Sequence, residues 1–156
     1  MSGWTIRAAE RRDVPALVRI EDEAFPEPWT RAMLVDEITR LENRRYSVAV
    51  EVGRIVGYLG LMFVADEVHV NTIATAPGEE GRGVATSLLD EGLAAARERG
   101  AVRATLEVAV TNERAQALYR RFGFAPVGVR QRYYERTGED ALVLWADLAD
   151  PATDLR

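Results

Sequence analysis

LEVAVTNERAQALYRRFGF, Leu106 to Phe124, is the stretch that decides the fold of this chain. It begins as a strand and turns into a helix at Asn112, whose side-chain oxygen can accept a free backbone N–H of the first turn. Glu113 adds a favourable negative charge near the positive end of that helix. Ala115, Leu118, Tyr119 and Phe122 follow the spacing of one apolar face, and Gly123 suits the helix end because it tolerates positive φ. One turn of chain can therefore carry a carboxylate, Glu107 on the strand, and a phenol, Tyr119 on the helix, to a common cleft as candidate base and acid. The blander reading is a solvated strand Glu and a core Tyr, and a second segment weighs against it.

That segment, NTIATAPGEEGRGVA, runs from Asn71 to Ala85 and continues as TSLLDEGLAAARERG. Val68 to Thr75 is rich in β-branched residues and predicts a strand, broken by Ala76-Pro77-Gly78. Gly81 and Gly83 remove side chains just before a helix with Val84, Leu88, Leu89, Leu93 and Ala96 on one face, ended by Gly100. A glycine-rich strand-to-helix turn presents backbone N–H groups at the positive end of the helix and suits a phosphate anion, with Arg82 as an added cation. An ordinary tight turn is the plainer alternative. The stretch matches neither G-x-x-x-x-G-K-[ST] nor G-x-G-x-x-G.

Together the two segments resemble the GNAT superfamily of N-acetyltransferases. The family's pyrophosphate loop, Q/R-x-x-G-x-G/A, falls in register on Glu80 to Ala85, and its segment N-x-x-A-x-x-L-Y-x-x-x-G-F is matched by Asn112, Ala115, Leu118, Tyr119, Gly123 and Phe124. Leu106-Glu107-Val108, the Phe25 to Trp29 loop and the R-x-R-Y-Y run at Arg130 to Tyr134 resemble the RimI-type branch, which acetylates the N-terminal alanine of a small-subunit ribosomal protein. The resemblance extends from Thr5 to Leu148. Two positions depart from the family pattern: Glu80 stands where Gln or Arg is usual, and Thr75-Ala76-Pro77 replaces the commoner Val-Asp-Pro.

The resemblance implies acetyl transfer from acetyl-CoA to an amine by direct attack in a ternary complex. The amine must be neutral to attack. At pH 7 deprotonation costs ~1 kcal/mol for an α-amine and ~4.6 kcal/mol for a lysine, so a modest base suffices for an N-terminus. Glu107 takes that role, directly or through a water, though its ordinary pKa makes it a weak base unless burial raises it. Tyr119 protonates the leaving thiolate. By the same carry-over the backbone of Ile73, Ala74 and Thr75 lines the pantetheine arm, and one N–H there steadies the thioester oxygen. Gly81, Arg82, Gly83, Val84, Ala85 and Thr86 cradle the pyrophosphate, and Asn112 holds the cofactor arm beside Tyr119. Phe25 and Trp29 on one side and Tyr133 and Tyr134 on the other receive the peptide. Acetylation of another amine (a protein lysine, a polyamine, an antibiotic) and a silent acetyl-CoA-binding module are the competing readings.

Bulk properties narrow the classes. The 156 residues contain no cysteine and a single histidine, His69, which argues against disulfides, a thiol nucleophile and a resident metal. All twenty basic residues are arginine, so Schiff-base chemistry is absent. The net charge of −5 speaks against nucleic acid as a partner and is compatible with a basic peptide. No run approaches the ~20 apolar residues of a membrane span, and Met1 to Trp4 lacks the pattern of a signal peptide, so a cytoplasmic protein without a membrane partner is expected.

The expected elements are a strand at Thr5 to Ala8 and a helix capped by Asp13 and running to Ala24. A helix capped by Thr30, with Leu34, Ile38 and Leu41 inward, follows. Tyr46 to Val52 and Arg54 to Val64 form a hairpin around Gly53. Then come Glu67 to Thr75, the long helix, Ala104 to Val108, the Asn112 helix, and a last strand pair at Pro126 to Tyr134 and Ala141 to Leu148. The fold class is α/β (α+β): a mixed, mostly antiparallel sheet of six to seven strands flanked by four helices, in one domain over residues 1–148 with a tail over residues 149–156.

Overall fold

In the computed structural model, which describes residues 3–149, the order of elements follows the sequence pattern. They are β1 (Thr5–Ala8), α1 (Val14–Ala24), α2 (Arg31–Thr39), β2 (Arg44–Glu51), β3 (Arg54–Val64), β4 (Glu67–Thr75), α3 (Val84–Glu98), β5 (Arg103–Ala109), α4 (Glu113–Arg121), β6 (Ala125–Tyr134) and β7 (Glu139–Asp147). The strands make a seven-stranded sheet in the order β1-β2-β3-β4-β5-β7-β6. β4 and β5 are parallel, while β1–β2, β2–β3, β5–β7 and β6–β7 are antiparallel. The mixed sheet with four α-helices is the expected fold. The tail expected after residue 148 lies, from residue 150 on, outside the described residues.

The local signals act as read. Thr30 accepts from the N–H of Met33 and caps α2, and Asn112 accepts from the N–H of Ala115 and caps α4. Two expectations are corrected. Asp13 does not cap α1, because its carboxylate is held by Arg7 at 2.8 and 2.9 Å and accepts from the N–H of Glu10 at 2.7 Å, within a short 3-10 turn (Arg11–Asp13). Leu41 does not face inward: α2 stops at Thr39, whose hydroxyl donates back to the carbonyls of Val35 and Asp36, and Leu41 is 78 % exposed in the turn beyond.

The chain divides into two compact units, Met1–Met62 with Val70–Gly92, and Phe63–His69 with Leu93–Arg156. In the first, Val14, Leu17 and Ile20 of α1 and Leu34 and Ile38 of α2 form one cluster with Tyr46, Val48, Tyr58 and Ala74 from the strands. Here α3 begins close against β3. A Cβ placed on Gly57 would stand 2.7 Å from Val84, 3.0 Å from the carbonyl of Ala74 and 3.2 Å from Leu88. In the second unit β5 alternates, burying Ala104, Leu106 and Val108 and leaving Arg103, Thr105, Glu107 and Ala109 half-buried on the other face. β6 lies at the end of the sheet, exposed along nearly its whole length. Its register with β7 shifts between Pro126 and Gly128 and between Arg130 and Tyr134, where Arg132 has φ of 51°.

Gly57→Ala should lower the unfolding free energy by ~1–3 kcal/mol, because a methyl group there meets backbone and two packed side chains. Gly128→Ala, where a Cβ meets nothing within 4 Å, should be neutral or slightly stabilising. Urea denaturation of both variants tests the contrast, and equal stabilities would show that α3 can retreat from β3 without cost.

Candidate active site

The turn between β4 and α3 is shaped by three glycines with positive φ: Gly78 (85°), Gly81 (81°) and Gly83 (92°). The carbonyl of Gly83 accepts the N–H of Ser87 and starts the helix, so the first N–H groups of α3 point back into the turn. At Gly78 and Gly83 nothing lies within 4 Å of where a Cβ would stand, so an anion could approach the backbone there. Amide donors, a helix N-terminus and the absence of side chains at these points fit a diphosphate.

The side chains of this turn fold onto the protein. The guanidinium of Arg82 makes two bonds to Glu51, at 2.9 and 2.7 Å, pairs with Glu79, and lies 5.3 Å from the ring centre of Trp4. Glu51 and then Glu79 raise its pKa. Glu79 also pairs with Arg54 at 2.6 Å, which ties the turn to the β2–β3 hairpin. The Arg82 pairs also tie the turn to β2 through Glu51. Glu80 neither pairs with Arg82 nor leaves the loop; it accepts the N–H of Gly78 at 2.9 Å and occupies one of the donors itself. On β4, Ala74 is buried while Ile73 and Thr75 lie on the half-buried face.

Glu107 has a partner that the local sequence does not reveal. His69 of β4 stands opposite Thr105 in the parallel ladder, two residues from Glu107 on the same face, and its Nε2 lies 2.7 Å from Oε1 of Glu107. Arg130 of β6 is 3.8 Å from the other oxygen. The bond to His69, with the charges of His69 and Arg130, holds the carboxyl below its usual range against the opposing effect of burial. Burial therefore does not turn Glu107 into a stronger base; it stays a carboxylate. Tyr119 is buried, packs edge-on against Phe124 at 5.7 Å, and its pKa is pushed up by burial and by the nearby Tyr134. Its hydroxyl keeps its proton across the neutral range. Tyr133 and Tyr134 meet edge to face at 5.0 Å, with Arg130 stacked 4.7 Å over Tyr133.

Phe25 and Trp29 pack against the core of the first unit, and the N–H of Trp29 donates to Glu21 at 2.8 Å. Glu21 is fully buried and also accepts from Tyr58 and Thr72; burial raises its pKa and these bonds oppose the rise. Its neighbour in kind, Glu37 of α2, accepts from Tyr46 at 2.7 Å, Asn71 at 2.9 Å and Arg44 at 2.9 Å. A usable sign of Glu21 exists in the sequence: an acid sits on the apolar stripe of α1, seven residues after Val14 and four after Leu17. For His69 no local sign exists, because only the register of two distant strands brings it to Glu107. Among the described residues no group of three or more His, Asp or Glu side chains is placed to hold a metal ion.

Known proteins agree with this architecture. The chain is 38 % identical over 154 residues to the N-alpha-acetyltransferase RimI of Mycobacterium tuberculosis, covering 95 % of each chain. It is 29 % identical over 144 residues to the ribosomal protein bS18-alanine N-acetyltransferase of Escherichia coli, covering 90 % of this chain and 95 % of that one. The crystal structure of the Escherichia coli enzyme superposes with a TM-score of 0.85 over 93 % of this chain and 94 % of that one, at 28 % identity. The acetyltransferase (GNAT) family profile matches residues 14–124, and the chain belongs to that family.

Proposed function

We propose that this chain is a single acetyltransferase domain over residues 1–148 that moves the acetyl group of acetyl-CoA onto the free α-amine of a protein N-terminus. Alanine is the preferred first residue and a ribosomal protein the acceptor. The observation that carries this reading is the Glu107 carboxylate, paired with His69 and held below its usual range. Such a weak base is matched to an α-amine, whose deprotonation at pH 7 costs ~1 kcal/mol, and poorly matched to a lysine at ~4.6 kcal/mol. Likeness to relatives named for N-terminal and alanine acetylation supports the same acceptor.

Acetyl-CoA supplies a thioester and a good leaving group. Glu107, steadied by His69, takes the proton of the acceptor amine directly or through a water. Tyr119, kept protonated by its burial, gives a proton to the departing sulfur. The backbone of Gly81, Arg82, Gly83, Val84, Ala85 and Thr86 holds the pyrophosphate, and the ion pairs of the Arg82 side chain with Glu51 and Glu79 brace that loop. Ile73, Ala74, Thr75 and Asn112 line the cofactor arm, and Phe25, Trp29, Tyr133 and Tyr134 meet the peptide. We place the reaction in the cytoplasm, without a metal and without a nucleic-acid or membrane partner. Among the described residues no helix is long and apolar enough to cross a membrane.

A peptide with a free N-terminal alanine should be acetylated far faster than an N-terminally blocked peptide with an internal lysine, as read by mass spectrometry after incubation with acetyl-CoA. The reverse preference would sink the α-amine reading and leave the family intact. Glu107→Gln should cost ~10²-fold in turnover near pH 7 and much less near pH 9. The carboxylate is ionised over that whole range, so the variable that pH changes is the charge of the amine. Equal losses at both pH values would make Glu107 a peptide-positioning group.

Glu80→Gln should tighten acetyl-CoA binding ~2–5-fold at low salt, since it removes a negative charge from the mouth of the loop and weakens competition for the N–H of Gly78. The gain should shrink at near-molar salt. Titration calorimetry at the two salt concentrations checks it, and unchanged affinity at low salt would show the carboxylate to be inert.

A further inference from the structure

A fully buried carboxylate with no cation among its partners in the described residues is an expensive choice for a position on an apolar helix stripe. Leucine or methionine would pack at Glu21 without desolvating a charge. What the carboxylate does instead is join separate segments. Oε1 accepts the N–H of Trp29 at 2.8 Å, while Oε2 accepts the hydroxyls of Tyr58, on β3, and of Thr72, on β4, the latter at 2.9 Å. The backbone carbonyl of the same residue accepts the N–H of Phe25 at 3.0 Å. The carboxylate therefore holds the Trp29 end of the five-residue loop Phe25-Pro26-Glu27-Pro28-Trp29, while its Phe25 end is fastened by the closing backbone bond of α1. Pro26 and Pro28 have no N–H to give, so the N–H of Trp29 is one of the few backbone donors of the loop.

Thr72 precedes Ile73, Ala74 and Thr75 on β4, so the same carboxylate that fixes the loop also touches the strand assigned to the cofactor arm. We infer that Glu21 is the positioning residue of the acceptor side, a clamp that sets the Phe25–Trp29 loop on the first unit and thereby the affinity for the acceptor peptide. This rests on the proposed role of that loop in receiving the peptide. Glu21 touches neither substrate and takes no part in proton transfer.

The test compares Glu21→Leu, which removes the acceptor oxygens, with Glu21→Gln, which keeps one for the N–H of Trp29 while the hydroxyls of Tyr58 and Thr72 can reverse their bonds. Glu21→Leu should raise KM for an alanyl peptide ~10–100-fold, the scale of losing a bond to a charged group, with kcat and the acetyl-CoA dissociation constant within about threefold of wild type. Glu21→Gln should recover most of the loss in KM. Amide hydrogen exchange at Trp29 supplies a readout that needs no acceptor: protection should be strong in wild type, kept in Glu21→Gln and lost in Glu21→Leu. Wild-type KM in Glu21→Leu would overturn the inference. So would a parallel loss of peptide and acetyl-CoA affinity that glutamine does not rescue. Should Glu21→Leu fail to fold, fast exchange at Trp29 in the wild type, or an unprotected Trp29 with normal KM in Glu21→Gln, would overturn it equally. If wild type acetylates no N-terminal peptide, the proposed function fails, while the exchange data still decide the clamp.

Discussion

Three backbone pairs, Glu67↔Arg103, Val68↔Ala104 and His69↔Thr105, make β4 and β5 parallel neighbours, and a parallel pair cannot be joined by a tight turn. The chain must leave the end of β4, cross over and return to the start of β5. The crossover here is the glycine turn and the fifteen residues of α3. This one connection puts a helix N-terminus just past the end of β4, where the turn's amide groups gather. It also fixes the register that sets His69 against Glu107.

Carboxylates do much of the structural work in a chain whose cations are all arginine. Glu21 and Glu37 each reach from a helix to β4, one to Thr72 and the other to the adjacent Asn71. Glu51 and Glu79 hold Arg82 in place and so stiffen the loop before any ligand arrives. A loop already ordered loses less conformational freedom on binding, and its amides stay aimed where a phosphate would lie. Bidentate guanidinium–carboxylate geometry is what makes such bracing possible, and a lysine in place of Arg82 could not copy it.

Features decided within a few residues were readable in advance. The caps at Thr30 and Asn112, the glycine turns and the strand spans of β1 and β4 depend on neighbours in sequence, and they stand where the pattern put them. Asp13 misled because a competing partner, Arg7, sits on the preceding strand and takes the oxygens that a cap would need. Leu41 misled because helix periodicity says nothing about where the helix stops. In the candidate site, the glycine loop, Glu107 and Tyr119 stood out by residue type and spacing only as candidates, and their proposed roles came with the family resemblance. The imidazole paired with Glu107, thirty-eight positions away, and the clamp on Trp29 could not, since each depends on strand registers and helix placements that only the folded chain defines.

β6 ends the sheet, and its outer edge faces solvent over ten residues that include Val127 and Val129, both more than half exposed. An edge of that length and composition would invite another strand to add to it. Its own irregularities prevent this. Pro126 contributes no donor, the register breaks twice, Arg132 turns the backbone into the left-handed region, and Arg130 and Arg132 place positive charge along the strand. The same kinks that break the ladder between Arg130 and Tyr134 thus double as protection against edge-to-edge aggregation, so straightening them would expose a longer regular edge to a second strand.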